Sequence, residues 1–152
     1  YNGYTAALKP LDDVLDPNTL MTEEYLNYKK ELIEYGYEII DFYDNALTNT
    51  LQDLNNQALD AFNKEKNKET AAYYRALYNR AAEKFYKMMK FNFERDAEVL
   101  KYEINVINFL LKRVGNYKLG KNTLIFTTPN DQQSFEQMLE RINNTKNTKP
   151  TE

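Results

Sequence analysis

Apolar side chains recur at intervals of three and four residues along most of the chain, which is the period of an amphipathic α-helix. Two neighbouring rows form a face wider than a two-helix seam needs, so the first long helix is predicted to contact two neighbours. One row is Met21, Tyr25, Tyr28, Leu32, Tyr35, Ile39, Phe42 and Ala46; the other is Ile33, Tyr37, Ile40, Leu47, Leu51, Leu54 and Ala58.

A second long helix is predicted after a polar cluster at residues 63–68, which is the expected turn. Its apolar spacing continues to Val114, and Gly115 is expected to end it with Lys112 and Arg113 in the last turn. The two segments predict a long antiparallel helical hairpin. Its weak point is Asn45 to Gln57, where Asn and Thr have poor helix propensity and a break would divide the helices.

The period changes beyond Gly115. Residues 117–119 and 123–126 flank a Gly-Lys-Asn turn and predict a small β-hairpin. Thr128 followed by Pro129 and Asp131 predicts the start of a last helix. The fold class is therefore all-α, an antiparallel helical bundle built on a long hairpin, with one domain over residues 1–142. Residues 143–152 lack periodicity and are predicted to be a disordered tail.

At the amino terminus, apolar residues between Tyr4 and Leu15 predict a short helix or helical turns. Pro10 interrupts this segment, and it closes before Pro17.

The composition removes most catalytic chemistry. The chain of 152 residues has no Cys, no His, no Trp and a single serine, Ser134. The absence of Cys excludes thiolate chemistry and Cys-ligated metals. The absence of His excludes the usual general base near neutral pH. We therefore expect no enzyme activity, no cofactor, and neither catalytic nor metal-binding residues.

Clustered carboxylates are the remaining candidates for chemistry, as a metal site or a glycosidase pair. A ferritin-like di-iron site also needs histidine, so the interpretation we favour is a solvated acidic surface. The clusters are Glu34, Glu38 and Asp41, and Glu94 and Glu98.

Charge is unevenly distributed along the chain. Residues 1–63 carry three Lys and twelve acids, whereas residues 64–95 carry nine Lys or Arg and four acids. Pairing of an acidic with a basic helix would explain this split. The alternative is a basic tip that binds an anionic surface, formed by Lys64, Lys66, Lys68, Arg75, Arg80, Lys84, Lys87 and Lys90.

Tyrosine is abundant, with thirteen residues against eight Phe. Most are predicted to line the core or its rim, with Tyr1, Tyr4, Tyr43 and Tyr102 at the edge of the rows or outside them. Four tyrosines interleave with the basic residues and are candidate contact residues: Tyr73, Tyr74, Tyr78 and Tyr86.

The segment from Gly115 to Ile142 resembles the C-terminal part of small α-helical bacterial lipoproteins of uncharacterised families. The resemblance rests on Tyr117-Lys118-Leu119, a polar turn, Thr123 to Phe126, Thr128-Pro129, and a Gln-rich helix with Phe135 and Leu139. It implies an envelope location and no activity. The lipobox Cys of such proteins does not occur in the sequence.

These observations predict a non-enzymatic, exported or cell-envelope helical-bundle protein that acts through protein–protein contacts. Its partner is another protein or a second copy, and a membrane contact is expected only through a lipid anchor upstream of Tyr1. Nucleic acid is not expected, because the sequence pI is about 5.2. Two alternatives are a cytosolic or phage-type homodimeric interaction module and, less favoured, a carboxylate-only glycan hydrolase.

Overall fold

The computed structural model describes residues 2–150. Its helices are α1 (Asn2–Leu8), α2 (Glu23–Lys64), α3 (Lys68–Leu111) and α4 (Pro129–Lys146), with short 3-10 turns at Lys9–Leu11 and Pro17–Thr19. Two strands, β1 (Tyr117–Leu119) and β2 (Leu124–Phe126), lie between α3 and α4. The predicted all-α bundle with a small β-hairpin before its last helix is confirmed.

Helix α2 begins at a side-chain cap and runs without a break. The Thr22 hydroxyl accepts a hydrogen bond from the Tyr25 amide, and Glu23 and Glu24 occupy the first turn, where negative charge stabilises a helix. Its 42 residues span about 63 Å. The weak point at Asn45 to Gln57 stays helical, because the segment holds no Pro or Gly and Leu47 and Leu51 pack into the core cluster.

The predicted turn between the long helices is confirmed. Asn67 caps α3 by accepting hydrogen bonds from the amides of Glu69 and Thr70 at 3.0 and 3.1 Å. The Glu65 carboxylate in turn accepts from the Asn67 amide at 2.9 Å. Side chains thus satisfy the free amides of this turn and fix a tight connection.

The other end of α3 differs from the prediction. The helix ends at Leu111, and Gly115 follows a short turn with φ 87°. Lys112 and Arg113 therefore lie outside the last helical turn. Arg113 instead binds Asp131 of α4 at 2.6 Å and stacks over the Phe109 ring, and these contacts tie the helix end to α4.

The hairpin and α4 follow the predicted signals. Strands β1 and β2 pair antiparallel with Tyr117 opposite Phe126. Thr128 caps α4 by accepting from the Asp131 amide, and Pro129 occupies the first turn. The helix continues to Lys146, so residues 143–146 belong to it rather than to the predicted tail, whose disorder stays a prediction.

One hydrophobic core lies at the open end of the hairpin, where α1, the following 3-10 turn, α4 and the β-hairpin pack on α2 and α3. The amino-terminal segment crosses α2 at Gly36, where an added Cβ would come within 2.7 Å of Leu11 and 2.9 Å of Leu100. Tyr4 is buried against Tyr43 and Phe93 and donates to Asp96 at 2.7 Å. The helical turns predicted for this segment are present, and they close the core.

The prediction that α2 contacts two neighbours is confirmed, since α2 packs on α3 and on the amino-terminal segment, but its two apolar rows are covered unequally. In the second row, Ile33, Ile40 and Leu47 are buried, whereas Leu54 is exposed. In the row that begins at Met21, Ile39 is buried, but four aromatic residues are more than half exposed: Tyr25, Tyr28, Tyr35 and Phe42. The reason is that the amino-terminal segment covers only one flank of this row, while α4 packs on α3.

Candidate interaction surface

The two long helices extend beyond the core as an arm, which we define as residues 48–88. The remainder of the described chain, residues 2–47 and 89–150, is the base. Leu47 and Met89 are buried at the junction, and none of residues 48–88 is buried. The arm is thus a two-helix hairpin without a third element to cover it.

Seven of the eight predicted basic residues lie on the arm, and all seven are exposed. Lys90 lies in the base just beyond the junction and is half-buried. The tip carries Lys64, Lys66 and Lys68, while the others follow α3 toward the base. The structure therefore distributes the predicted basic surface along the arm instead of gathering it at one point.

Pairing between an acidic and a basic helix accounts for few of these charges. Within residues 2–150, the only ion pair that joins α2 and α3 is Lys90 with Asp44, at 2.6 Å. That hydrogen bond raises the pKa of Lys90. Lys87 pairs with Glu83 on its own helix, which lowers the pKa of Glu83.

The remaining six basic residues have no ion pair within the described chain: Lys64, Lys66, Lys68, Arg75, Arg80 and Lys84. They are consequently free to meet an external anion.

The four predicted contact tyrosines divide into an exposed and a half-buried set. Tyr73 and Tyr74 are exposed and touch edge to face with ring centroids 5.6 Å apart. Tyr86 is exposed beside Lys90, whose ammonium group lies 5.8 Å from the ring centre. Tyr78 faces Phe62 across the hairpin, and its buried hydroxyl has no hydrogen-bond partner within residues 2–150. Three of the four therefore present rings to the outside.

Further exposed apolar residues lie on the arm, and of these only Leu54 belongs to one of the two apolar rows identified in the sequence. They are Leu54, Leu77, Phe85 and Met88. The signal for their exposure was the absence of a second apolar segment long enough to cover both the arm and the base. Helix α4 has 18 residues, which span about 27 Å, less than half the length of α3.

A shallow groove lies beside the tip. It has a volume of about 520 Å³ and is lined by Phe62, Lys68, Ala72, Arg75 and Ala76, among others. Arg75 extends over the Phe62 ring with its guanidinium carbon 5.9 Å from the ring centre. Small alanine side chains give this groove an apolar floor, and its charged lining residues are Lys68, Arg75 and Glu65.

The carboxylates considered for chemistry are all solvent-exposed: Glu34, Glu38, Asp41, Glu94 and Glu98. Within residues 2–150, no group of three or more Asp, Glu, His or Cys side chains is arranged to hold a metal ion. A glycosidase acid needs burial to raise its pKa. The five exposed positions therefore lack the environment that this chemistry requires.

Sequence reasoning missed Glu103, the one buried acid among residues 2–150. Glu103 is 2% exposed, and Lys146 donates to it at 3.0 Å. Burial raises the pKa of Glu103 against the lowering effect of Lys146. Its spacing, three residues after Leu100 and four before Ile107, marked a core position, but Lys146 lay in the segment expected to be disordered.

Other tyrosines set apart in the sequence have structural contacts. Tyr102 donates to Glu98 and lies under the Arg141 guanidinium, 4.3 Å from the ring centre. Tyr43 lies against Tyr4 and Phe42. Tyr1 lies outside the described residues.

Comparisons with protein-family models, with curated proteins and with solved structures find no match to the chain. Within residues 2–150, no helix combines the length and the apolar character that crossing a membrane requires. The functional argument therefore depends on the surfaces of the molecule itself.

Proposed function

We propose that this chain is a non-enzymatic binding protein that contacts another protein through its arm. The observation that carries the proposal is the complete lack of buried side chains between residues 48 and 88, although this segment holds many apolar and aromatic residues. An uncovered face of this kind marks an interaction site more often than a free surface. The resemblance of residues 115–142 to envelope lipoproteins supports an exported or cell-envelope location.

The charge of the arm indicates the chemistry of its partner. Residues 48–88 carry seven Lys or Arg and five acids, a net charge of +2 within a chain of net charge −3. A partner with carboxylates around an apolar patch would match both the unpaired cations and the exposed rings. Tyr and Arg, which the arm presents together, are also the residues enriched where binding energy concentrates.

A homodimeric interaction module is the alternative that the exposed apolar rows also favour. It predicts that two arms, or two copies of α2, cover each other in solution. A glycan hydrolase has less support, because the five candidate carboxylates are exposed and Glu103 is enclosed in the base with Lys146.

Photo-crosslinking in cells that express the chain natively tests this proposal. Benzoylphenylalanine at Tyr73 is expected to give one discrete adduct with a second protein. The charge-reversed variant Lys68→Glu/Arg75→Glu/Arg80→Glu is expected to reduce this adduct at least tenfold, because it replaces unpaired cations on the contact surface.

The matched control is Lys101→Glu/Lys118→Glu/Lys121→Glu, which makes the same charge change at exposed positions of the base. The control should leave the adduct unchanged. An adduct containing only a second copy would replace the proposal with the homodimer. Equal loss in both variants, or no adduct at Tyr73, would reject a specific role for the arm.

A further inference from the structure

An aromatic row lies on α2 outside the arm. It consists of Tyr25, Tyr28, Tyr35 and Phe42, with exposed fractions of 55%, 57%, 58% and 67%. The last three are spaced seven residues apart, and Tyr25 precedes Tyr28 by three. This is the heptad spacing that places side chains along one seam of a coiled coil. The exposed rings therefore line an open side of α2, whereas the other side of the same seam, at Gly36 and Ile39, is covered by the chain's own core.

Acidic side chains follow the aromatic row along its length. Glu24, Glu31 and Glu38 are also spaced seven residues apart, and Glu34 and Asp41 directly precede Tyr35 and Phe42. All five are exposed, and none has an ion pair within residues 2–150. In heptad terms, with Tyr25 at position a and Tyr28 at d, the three glutamates occupy g, which faces the flanking charges of a partner helix. The seam thus carries a continuous negative edge.

The size of the row is sufficient for a specific contact. A buried Tyr or Phe covers roughly 150 to 250 Å², so four rings more than half exposed present about 450 Å². That area is comparable to the largest apolar patch of a typical monomer, which is often functional. It is a little more than half of the ~800 Å² that each partner contributes to a standard interface, and the acidic edge adds to it.

Helix α2 of a second copy fits this seam poorly. In an antiparallel pair of α2 helices, g positions face g positions, so Glu31 would meet its own equivalent and Glu24 would meet Glu38. In a parallel pair, g faces e of the following heptad, which offers one attractive contact, Glu24 with Lys29, while Gly36 and Tyr43 occupy the other e positions. Like charges placed opposite each other across a helix pair disfavour that pair. The edge therefore disfavours pairing of α2 with α2 and favours a cationic partner. Light scattering distinguishes a partner helix from the cationic arm of a second copy.

We infer that the aromatic row and its acidic edge form a second docking face, which binds a cationic amphipathic helix of another protein. Apolar residues of that helix cover Tyr28, Tyr35 and Phe42, and its Lys or Arg side chains pair with Glu24, Glu31 and Glu38. This face lies on the base, whereas the arm presents cations. The molecule would then hold two partners of opposite charge at separate places along one helical hairpin.

The test uses the full chain and two synthetic 21-residue peptides. One peptide has Leu at a and d, Lys at e and g and Ala elsewhere; the other replaces each Lys by Glu. Lys at both flanking positions keeps the first peptide from pairing with itself. The two peptides are compared on the arm variant Lys68→Glu/Arg75→Glu/Arg80→Glu, whose arm no longer offers these cations to the Glu peptide. Fluorescence anisotropy of the labelled peptides is expected to show at least tenfold tighter binding of the Lys peptide, with affinity falling as salt rises.

Variants locate the contact. Tyr28→Ala/Tyr35→Ala/Phe42→Ala should abolish binding, and Glu24→Gln/Glu31→Gln/Glu38→Gln should weaken it about tenfold. The charge-matched control Asp53→Asn/Asp60→Asn/Glu140→Gln changes three exposed acids elsewhere and should bind within twofold of the wild type. Because all substituted side chains are exposed, circular dichroism is expected to show the same helicity in each variant.

Three results would overturn the inference. They are equal affinity for the two peptides, equal weakening in the control triple, and a wild-type dimer in light scattering that the aromatic-row variant dissociates. The arm variant Lys68→Glu/Arg75→Glu/Arg80→Glu should bind the Lys peptide normally. The experiments can therefore reject the docking face on α2 without rejecting the arm proposal, and the reverse.

Discussion

The base and the arm share helices α2 and α3, yet their side chains meet different neighbours. In the base, α4, the β-hairpin and the amino-terminal segment lie over the two helices, and residues such as Val106 and Leu110 are fully enclosed. In the arm, the same helices have only each other, and Phe85 and Met88 stay exposed at the spacing that is buried further along α3. Burial here depends on a third element covering the pair rather than on the amphipathic pattern of the pair itself.

The largest expected contrast comes from removing one ring in each region. Phe135→Ala in the base should lower the free energy of unfolding by about 3 to 5 kcal/mol, because Phe135 is buried against Phe126 and its loss leaves a cavity. Phe85→Ala in the arm should lower it by less than about 1 kcal/mol, since the ring is exposed. Urea denaturation measures both. Similar losses would show that the arm contributes a packed core of its own.

A smaller and pH-dependent effect is expected at Glu103. Burial raises the pKa of this carboxyl above its ordinary value of 4.5, so the folded state binds its proton more tightly than the unfolded chain does. Ionisation at higher pH therefore opposes folding, and the stability of the wild type falls as pH rises from about 4.5 through the raised pKa. Glu103→Gln keeps an oxygen for Lys146 and should be more stable than the wild type at pH 7, with an advantage that shrinks toward pH 4.

The control for this prediction is Asp60→Asn, which neutralises an exposed acid of the arm. Its stability relative to the wild type should change little over the same pH range. Denaturation curves at intervals between pH 4 and pH 8 give the comparison. A Glu103→Gln variant that is less stable than the wild type at pH 7 would mean that the Lys146 pair outweighs the effect of burial.

A small effect on the base is expected from shortening the arm. Deleting residues 50–56 together with 80–86 removes one heptad from each helix, which preserves the seam and the capped turn. The base should lose about 1 kcal/mol of stability, in line with ~0.1 kcal/mol per residue and no loss of buried side chains. Thermal denaturation by circular dichroism measures the change. A loss above about 3 kcal/mol would show that the arm and the base are strongly coupled.

Local signals in the sequence were sufficient for most of the fold. The caps at Thr22 and Thr128, the polar turn before Lys68 and the change of period after Gly115 each depend on nearby residues, and each lies where predicted. The end of α3 was placed too late because Arg113 is drawn to Asp131, a partner eighteen residues away. Contacts at long range were thus the main source of error.

The candidate surfaces were less predictable than the fold for the same reason. Periodicity identified two apolar rows on α2 but gave no indication of which row has a neighbour, since that depends on where Leu11 and Tyr4 pack. The uneven charge along the sequence predicted ion pairs between α2 and α3. Within residues 2–150, however, only Lys90 and Asp44 form an ion pair across the hairpin. The spacing of Glu103 from Leu100 and Ile107 indicates a buried position. Its partner Lys146, by contrast, lies in the segment predicted to be disordered.

The bond between Tyr117 and Leu20 has a consequence for how the chain folds. The Tyr117 hydroxyl donates to the Leu20 carbonyl at 2.6 Å, and these residues are 97 positions apart. The arm, by contrast, is closed by a three-residue turn and can form as soon as residue 88 has left the ribosome. At roughly 5 to 20 residues per second, the segment from 89 to 142 takes several more seconds to synthesise. During that interval α2 and α3 lack the elements that cover them in the base, so the core closes only after the last helix has been synthesised.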